Sequence, residues 1–266
     1  MKITTLIENL VYQPGLVSEH GLSLYIDSGR RRILFDTGQS AAFTDNAKQL
    51  GIDLTNVDAV VISHGHYDHT GGLLAFLRMN NNAPVYMKKA VFQKKYNNNN
   101  SFIGTEKLPE EFESRIIWVE EVTEIDEGIF IVPHIPVRYE NDTSFRYFYT
   151  DKGAGMETDH FDDELFLAIV NDNKLSVLSS CSHRGISNIV EEARQLFQHP
   201  VHLVTGGFHL MNAQQEQYLA VMDYFRALKP ENIGICHCTG IENFPRIAKE
   251  AVGRVFYNFT GHIEKI

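Results

Sequence analysis

Cysteine is scarce in this chain: three in 266 residues, at Cys181, Cys236 and Cys238. An odd set of that size does not build a disulfide framework. The first residues, Met1 to Ile7, read as a strand and lack the basic start, apolar stretch and small-residue cleavage site of a secretion signal. Together these absences lead to the expectation of a cytoplasmic protein. No apolar run reaches the roughly 18 residues that a membrane span needs, so no membrane association is expected. Positive charge is also short, with 24 Lys and Arg against 34 Asp and Glu and a formal net charge of -10. Such a field repels nucleic acid backbones, so a nucleic acid partner is not expected. A small anionic substrate stays open, because bound cations can reverse the field locally. There is no Walker-type phosphate loop and no Gly-x-Ser-x-Gly elbow, which leaves serine-hydrolase chemistry without support. No linker composition interrupts the chain, and residues 1–266 are expected to form a single domain, with oligomeric state left undetermined.

What is present is a mixture of strand and helix signals. Leu22–Asp27 alternates with period two, Ser28-Gly29 supplies a turn, and Arg32–Asp36 reads as the second strand of an antiparallel hairpin. Ser40–Leu50 has a helical pattern stopped by Gly51. Asp58–Ile62 is a continuous apolar strand of the kind buried on both faces. A helix over Gly72–Met79 and a strand over Pro84–Met87 follow. The asparagines at 80–82 and 97–100 read as surface loops, with 97–109 as an insertion near a site mouth. In the second half, strands are expected at Phe145–Thr150, Leu165–Val170, Leu175–Leu178, Val201–Thr205 and Asn232–Cys236. Helices are expected at Ile186–Phe197, Ala213–Leu228 and Ile241–Ala251. The fold class is therefore α/β, with two central sheets covered by helices.

The segment Ser63-His64-Gly65-His66-Tyr67-Asp68-His69 follows the Asp58–Ile62 strand directly. Imidazole nitrogen and carboxylate oxygen are ligand types for zinc, manganese or iron. In an extended segment, side chains two apart point the same way, so His64 and His66 can converge on one ion. Asp68 and His69 follow where the chain turns and can reach a second. Gly65, Gly71 and Gly72 permit the tight path.

This string resembles the His-x-His-x-Asp-His signature of the metallo-beta-lactamase superfamily, whose fold is a four-layer αββα sandwich. Leu34-Phe35-Asp36-Thr37-Gly38 is similar to that superfamily's early Asp-Thr-Gly motif. The resemblance implies that Asp36 supports the metal loop by hydrogen bonding. Three later strings each place a histidine after an apolar strand: Ser179–Gly185 with His183, Gly206–Leu210 with His209, and Cys236–Gly240 with His237. With Glu19–Ser23, they resemble one branch of the superfamily, labelled 7,8-dihydropterin-6-methyl-4-(beta-D-ribofuranosyl)-aminobenzene-5'-phosphate synthase-like.

Many superfamily members carry a metal-bridging aspartate in a Gly-Asp pair where this chain has Ser180-Cys181. His183 is the favoured ligand there, since imidazole suits a nitrogen-rich site. The alternative is Cys181 as a thiolate ligand, and otherwise a free cysteine is a small buried hydrophobe. His237 is implied as the last ligand of the second metal. Cys236 and Cys238 raise a structural Cys-x-Cys zinc reading, for which no further partners of known spacing stand out. His209 is read as a ligand or proton donor, His20 as lining the pocket, and Arg184 as a guanidinium able to take a phosphate in a bidentate way. His134, His160, His199, His202 and His262 have no motif context.

The expected function is hydrolysis of a small phosphorylated or ester-type molecule. Two divalent ions, zinc first and manganese or iron as alternatives, would polarise the substrate and lower the pKa of a bridging water. Their ligands are expected to be His64, His66, Asp68, His69, His183 and His237. Asp68 would orient the nucleophile, and His209 would protonate the leaving group. A ligand sensor with the same fold and little catalysis is the alternative. A di-iron redox protein fits less well, because such relatives replace the second motif histidine with glutamate and this chain has His66.

Overall fold

The computed structural model describes residues 1–153 and 155–266. In chain order, its strands begin with β1 (Lys2–Ile7), β2 (Ser23–Asp27), β3 (Arg32–Phe35), β4 (Ala59–Val61), β5 (Val85–Met87) and β6 (Lys94–Asn97). They continue with β7 (Ile116–Trp118), β8 (Thr123–Asp126), β9 (Ile129–Val132), β10 (Phe148–Asp151), β11 (Met156–Thr158) and β12 (Phe166–Asn171). The last are β13 (Lys174–Leu178), β14 (Val201–Gly206), β15 (Asn232–Ile235), β16 (Arg254–Tyr257) and β17 (Ile263–Lys265). Among the described residues, six α-helices accompany them: α1 (Ala42–Gln49), α2 (Tyr67–Thr70), α3 (Leu73–Met79), α4 (Ile186–Phe197), α5 (Gln215–Leu228) and α6 (Phe244–Glu250). None is long and apolar enough to cross a membrane.

Two compact units result. The first comprises residues 1–120, 146–163 and 259–266, and the second residues 121–145 and 164–258. The first unit holds a seven-stranded sheet in the order β17-β1-β2-β3-β4-β5-β7 and a small sheet of β11, β10 and β6. The β2–β3 hairpin is antiparallel, and β3, β4, β5 and β7 run parallel. Its core gathers Leu6, Leu34, Val60, Ile62, Val85 and Met87 from the sheet with Phe43, Ala47, Phe76 and Leu77 from α1 and α3, all buried. The apolar residues of each helix recur at three- and four-residue steps, which turns one stripe onto the sheet.

The second unit holds a seven-stranded sheet in the order β16-β15-β14-β13-β12-β9-β8. Strands β13 to β16 run parallel. Parallel strands buried on both faces read as continuous apolar runs, as in Leu203-Val204 and Ile233 to Ile235. Helix α4 packs on β12, β13 and α5, burying Ile186, Ile189, Val190 and Ala193. Each unit thus supplies one large sheet with helices, the content that the αββα fold class requires.

Several boundaries differ from expectation. The strand expected over Phe145–Thr150 begins at Phe148 and pairs with β6 and β11 in the small sheet of the first unit. The helix expected over Ile241–Ala251 starts as a 3-10 turn, Ile241–Asn243, and is α-helical only from Phe244. Pro245 then falls in the first turn of α6, where its missing N–H costs no helical hydrogen bond. The helix expected from Ala213 begins at Gln215. Strands β7, β8, β11 and β17 carry no clear apolar alternation, because they are short and mostly exposed or half-buried.

Candidate metal centre

The first unit places its histidine string at the carboxyl end of β4, beside the end of β3. Asp36, directly after β3, takes a left-handed conformation with φ of 59°. Non-glycine residues rarely adopt that region, and such strain collects at functional positions. The turn aims its carboxylate into the loop. Oδ1 accepts the Ser63 amide at 2.7 Å, and Oδ2 accepts the Ser63 hydroxyl at 2.7 Å and faces His69 Nδ1 at 2.9 Å.

These contacts fix two tautomers. A carboxylate only accepts, so His69 donates from Nδ1 and presents Nε2 as a lone pair. The Ser63 hydroxyl proton is committed to Asp36, so Ser63 Oγ accepts from His64 Nδ1 at 2.8 Å. His64 therefore also presents Nε2. That nitrogen lies 3.2 Å from His66 Nδ1. Two nitrogens at roughly 2.0–2.1 Å from one tetrahedral ion stand about 3.3 Å apart, so this spacing is that of two ligands on one metal. Burial pulls the pKa of His64 well below its ordinary value, with the neighbouring His69 and His66 adding to the effect, which disfavours the charged ring that could not bind a metal.

Asp68 and His69 lie on the one-turn helix α2. Asp68 Oδ2 is 3.6 Å from His69 Nε2 and 3.2 Å from Nε2 of His20, a half-exposed side chain. His20, Asp36, His64, His66, Asp68 and His69 are thus brought together within the first unit.

Backbone contacts hold this loop tightly. A Cβ on Gly65 would lie 2.1 Å from the Val91 carbonyl oxygen, and one on Gly71 would lie 2.0 Å from that of Gln39. Only glycine fits at either place. The segment after the asparagine run also lies on the loop: Ile103 O accepts the Tyr67 amide, and the Thr105 hydroxyl donates to Gly65 O. Beneath it, Asp163 Oδ2 accepts the Gly65 amide at 2.6 Å, and Oδ1 takes Lys95 Nζ at 2.9 Å. Lys95 also binds Asp159 at 2.6 Å and lies over the Phe161 ring. Phe161 in turn meets the edges of His64 and His66.

In the second unit, the candidate residues follow the ends of three neighbouring parallel strands. Strand carboxyl ends are where open α/β sheets place their sites. Glu164 accepts the His183 amide with one oxygen at 2.7 Å and the Arg184 amide with the other at 2.8 Å. The Ser182 hydroxyl donates to Gly207 O, and Phe208 N donates to the Thr239 hydroxyl. These bonds stitch the loops after β13, β14 and β15 together. Ser182, His209 and His237 all have positive φ, at 56°, 50° and 50°. The His183 and His209 rings are 4.5 Å apart. Cys181, His237 and Cys238 offer donor atoms within 4.8 Å of one another, and all three are buried. Arg184 commits its Nε to Ile135 O.

Lys95, Asp159, Asp163 and Glu164 carry no motif and are not legible as site residues. The acidic string Asp162-Asp163-Glu164 before an apolar strand is the one available signal. Of the histidines without motif context, His202 pairs with Glu231 and His262 with Glu264.

The donors present, imidazole, carboxylate and thiol, suit divalent ions of borderline softness. The sequence profile of the metallo-beta-lactamase superfamily matches residues 19–154. A 7,8-dihydropterin-6-methyl-4-(beta-D-ribofuranosyl)-aminobenzene-5'-phosphate synthase of Methanocaldococcus jannaschii is 31% identical over 261 residues, covering 91% of this chain and 88% of that protein. The uncharacterized protein MJ0448 of the same organism is 30% identical over 271 residues, covering 99% and 98%. The crystal structure of Tm1679, described as a metal-dependent hydrolase of the beta-lactamase superfamily, matches with a TM-score of 0.88 and 32% identity, covering 100% of this chain and 99% of that one. The chain belongs to the metallo-beta-lactamase superfamily and has its fold, and its relatives include the branch that the sequence resembles.

Proposed function

We propose that this member of the metallo-beta-lactamase superfamily is a metal-dependent hydrolase of a small, phosphorylated or ester-type molecule. The observation that carries the reading is the orientation of His64 and His69 by Ser63 and Asp36, which leaves Nε2 of each ring as a lone pair. Residues held in this way need no rearrangement to bind an ion. His64, His66, Asp68 and His69 are assigned as ligands, with His183 and His237 as further ligands to two ions, zinc being the expected metal. Bound divalent ions supply activation of water at neutral pH and polarisation of the scissile bond.

The chain's own residues do the rest. Asp68 Oδ2 faces His20 Nε2 at 3.2 Å, a pair able to hold and pass a proton at that oxygen. His209, in its strained turn, is assigned the proton for the leaving group. Glu164 fixes the backbone of His183 and Arg184. The terminal nitrogens of Arg184 are assigned to substrate phosphate.

The name of the Methanocaldococcus relative favours a phosphorylated substrate, and also raises a second reading. A synthase would direct the same activated site to group transfer, with an organic acceptor in place of water. The test is a screen of phosphomonoesters, phosphodiesters, lactones and thioesters with metal-stripped protein and added zinc or manganese. Metal-dependent release of alcohol or thiol, lost in His66→Ala and Asp68→Ala, is expected. Turnover that those substitutions leave unchanged overturns the reading.

A further inference from the structure

We infer that Cys181 and Cys238, with His237, form a sulfur-bearing metal position, so that one of the ions is held through thiolate. This inference rests on the metal-dependent reading above and names the donors that the second unit contributes to it.

The geometry of the strand ends supports it. Cys181 follows β13, and His237-Cys238 follow β15, with β14 between the two strands. The end of β14 and the residue after it, Gly206-Gly207, pass between the backbones that carry the two thiols. A Cβ on Gly207 would lie 2.5 Å from Cys238 Sγ and 2.5 Å from Ser180 O. Glycine is what lets the Cys238 thiol approach the backbone at 180–181. Cys238 Sγ donates to Cys181 O at 3.5 Å, which fixes the thiol's direction. The residues preceding and following this approach are strained, with Ser182 and His237 both left-handed. The result is two sulfurs and an imidazole nitrogen within 4.8 Å of one another.

Packing alone does not account for the arrangement. Cys236 lies two residues from Cys238 and is equally sequestered, at 0% exposure. It belongs to none of the donor groups among the described residues. It is therefore the internal control for a cysteine that only fills space.

Metal binding here involves no redox step. Each thiol loses its proton to solvent as sulfur donates a lone pair to the ion, and nothing is oxidised. Thiolate is a soft donor, so the position favours zinc, cobalt or cadmium over manganese or magnesium.

The experiment is titration of the metal-stripped full chain with cobalt(II), followed by absorption spectroscopy and metal analysis. The expected result is a near-ultraviolet sulfur-to-cobalt charge-transfer band. That band should fall by about half in each of Cys181→Ser and Cys238→Ser and persist in Cys236→Ser. Cobalt bound in stoichiometric amount with no such band overturns the inference, as does a band that neither Cys181→Ser nor Cys238→Ser diminishes. The band of the unaltered protein requires no variant to fold. Hydrolysis without the band would remove this inference and leave the proposed function standing. The band without any hydrolysis would do the reverse.

Discussion

Asp163 accepts the backbone amide of Gly65 at 2.6 Å, tying the residue between His64 and His66 to a buried carboxylate 98 positions further along the chain. The Lys95 ammonium bridges that carboxylate and Asp159, one positive charge between two acids. Burial opposes the charge on Lys95, but Asp163 and Asp159 outweigh it and hold its pKa above the ordinary lysine value. Lys95→Met would leave two buried carboxylates without a counter-charge. Breaking a buried pair in this way costs about 3–5 kcal/mol. Urea unfolding of metal-stripped protein measures it, and a loss below about 1 kcal/mol would mean the ammonium does not hold the network.

Ser63→Ala removes the acceptor that fixes the His64 tautomer while leaving every direct ligand in place. Loss of such an orienting contact lowers metal affinity by ~10–100-fold. The cost to folding is one buried hydrogen-bonded group, about 1 kcal/mol. Zinc competition against a chromophoric chelator reads the affinity, and an unchanged value would contradict the assigned tautomer.

Gly65→Ala would drive a methyl group against the Val91 carbonyl oxygen, since the gap is only 2.1 Å. Backbone must move on one side or the other, and His64 and His66 move with it. Metal retention after gel filtration should fall in step with stability. Full retention would show that the loop can shift without consequence.

The sequence makes the histidine loop legible because ligand type and spacing are local properties. Asp36, His183 and His237 are legible for the same reason, each standing in a short string at the end of an apolar strand. Lys95 is not. Its role depends on β6 pairing with β10, a contact between Lys95 and Thr150 that no local pattern encodes. Asp163 and Glu164 act through backbone amides of Gly65, His183 and Arg184, and an amide has no sequence signature. The Phe145–Thr150 misplacement has the same origin. A short strand reveals its own propensity, and its partner is chosen by tertiary packing.

Asp142 gives the chain a pH response outside the histidine loop. It is buried and caps α4, with Oδ2 accepting the Ser187 amide at 2.7 Å. Burial pushes its carboxyl from 3.8 up to about 7. Between those values the folded chain holds a proton that the unfolded chain releases, so stability falls as pH rises. Above about 7 the loss is complete. Asp142→Asn keeps an acceptor for Ser187 and cannot titrate. Its stability relative to the unaltered protein should therefore rise from about pH 4 to about pH 7, by at most ~1.4 kcal/mol per pH unit, and then level off. Unfolding of the metal-stripped proteins across that range tests this, and a pH-independent difference would contradict it.

The proposed hydrolysis depends on ions held by the His64–His69 loop. The most direct measurement is the rate of phosphoester cleavage by metal-stripped protein as zinc is added back, alongside the His66→Ala protein. The expected result is no turnover without metal, turnover that rises and saturates with bound zinc, and none in His66→Ala at any zinc concentration. Equal turnover in chelator, or in His66→Ala, would contradict it.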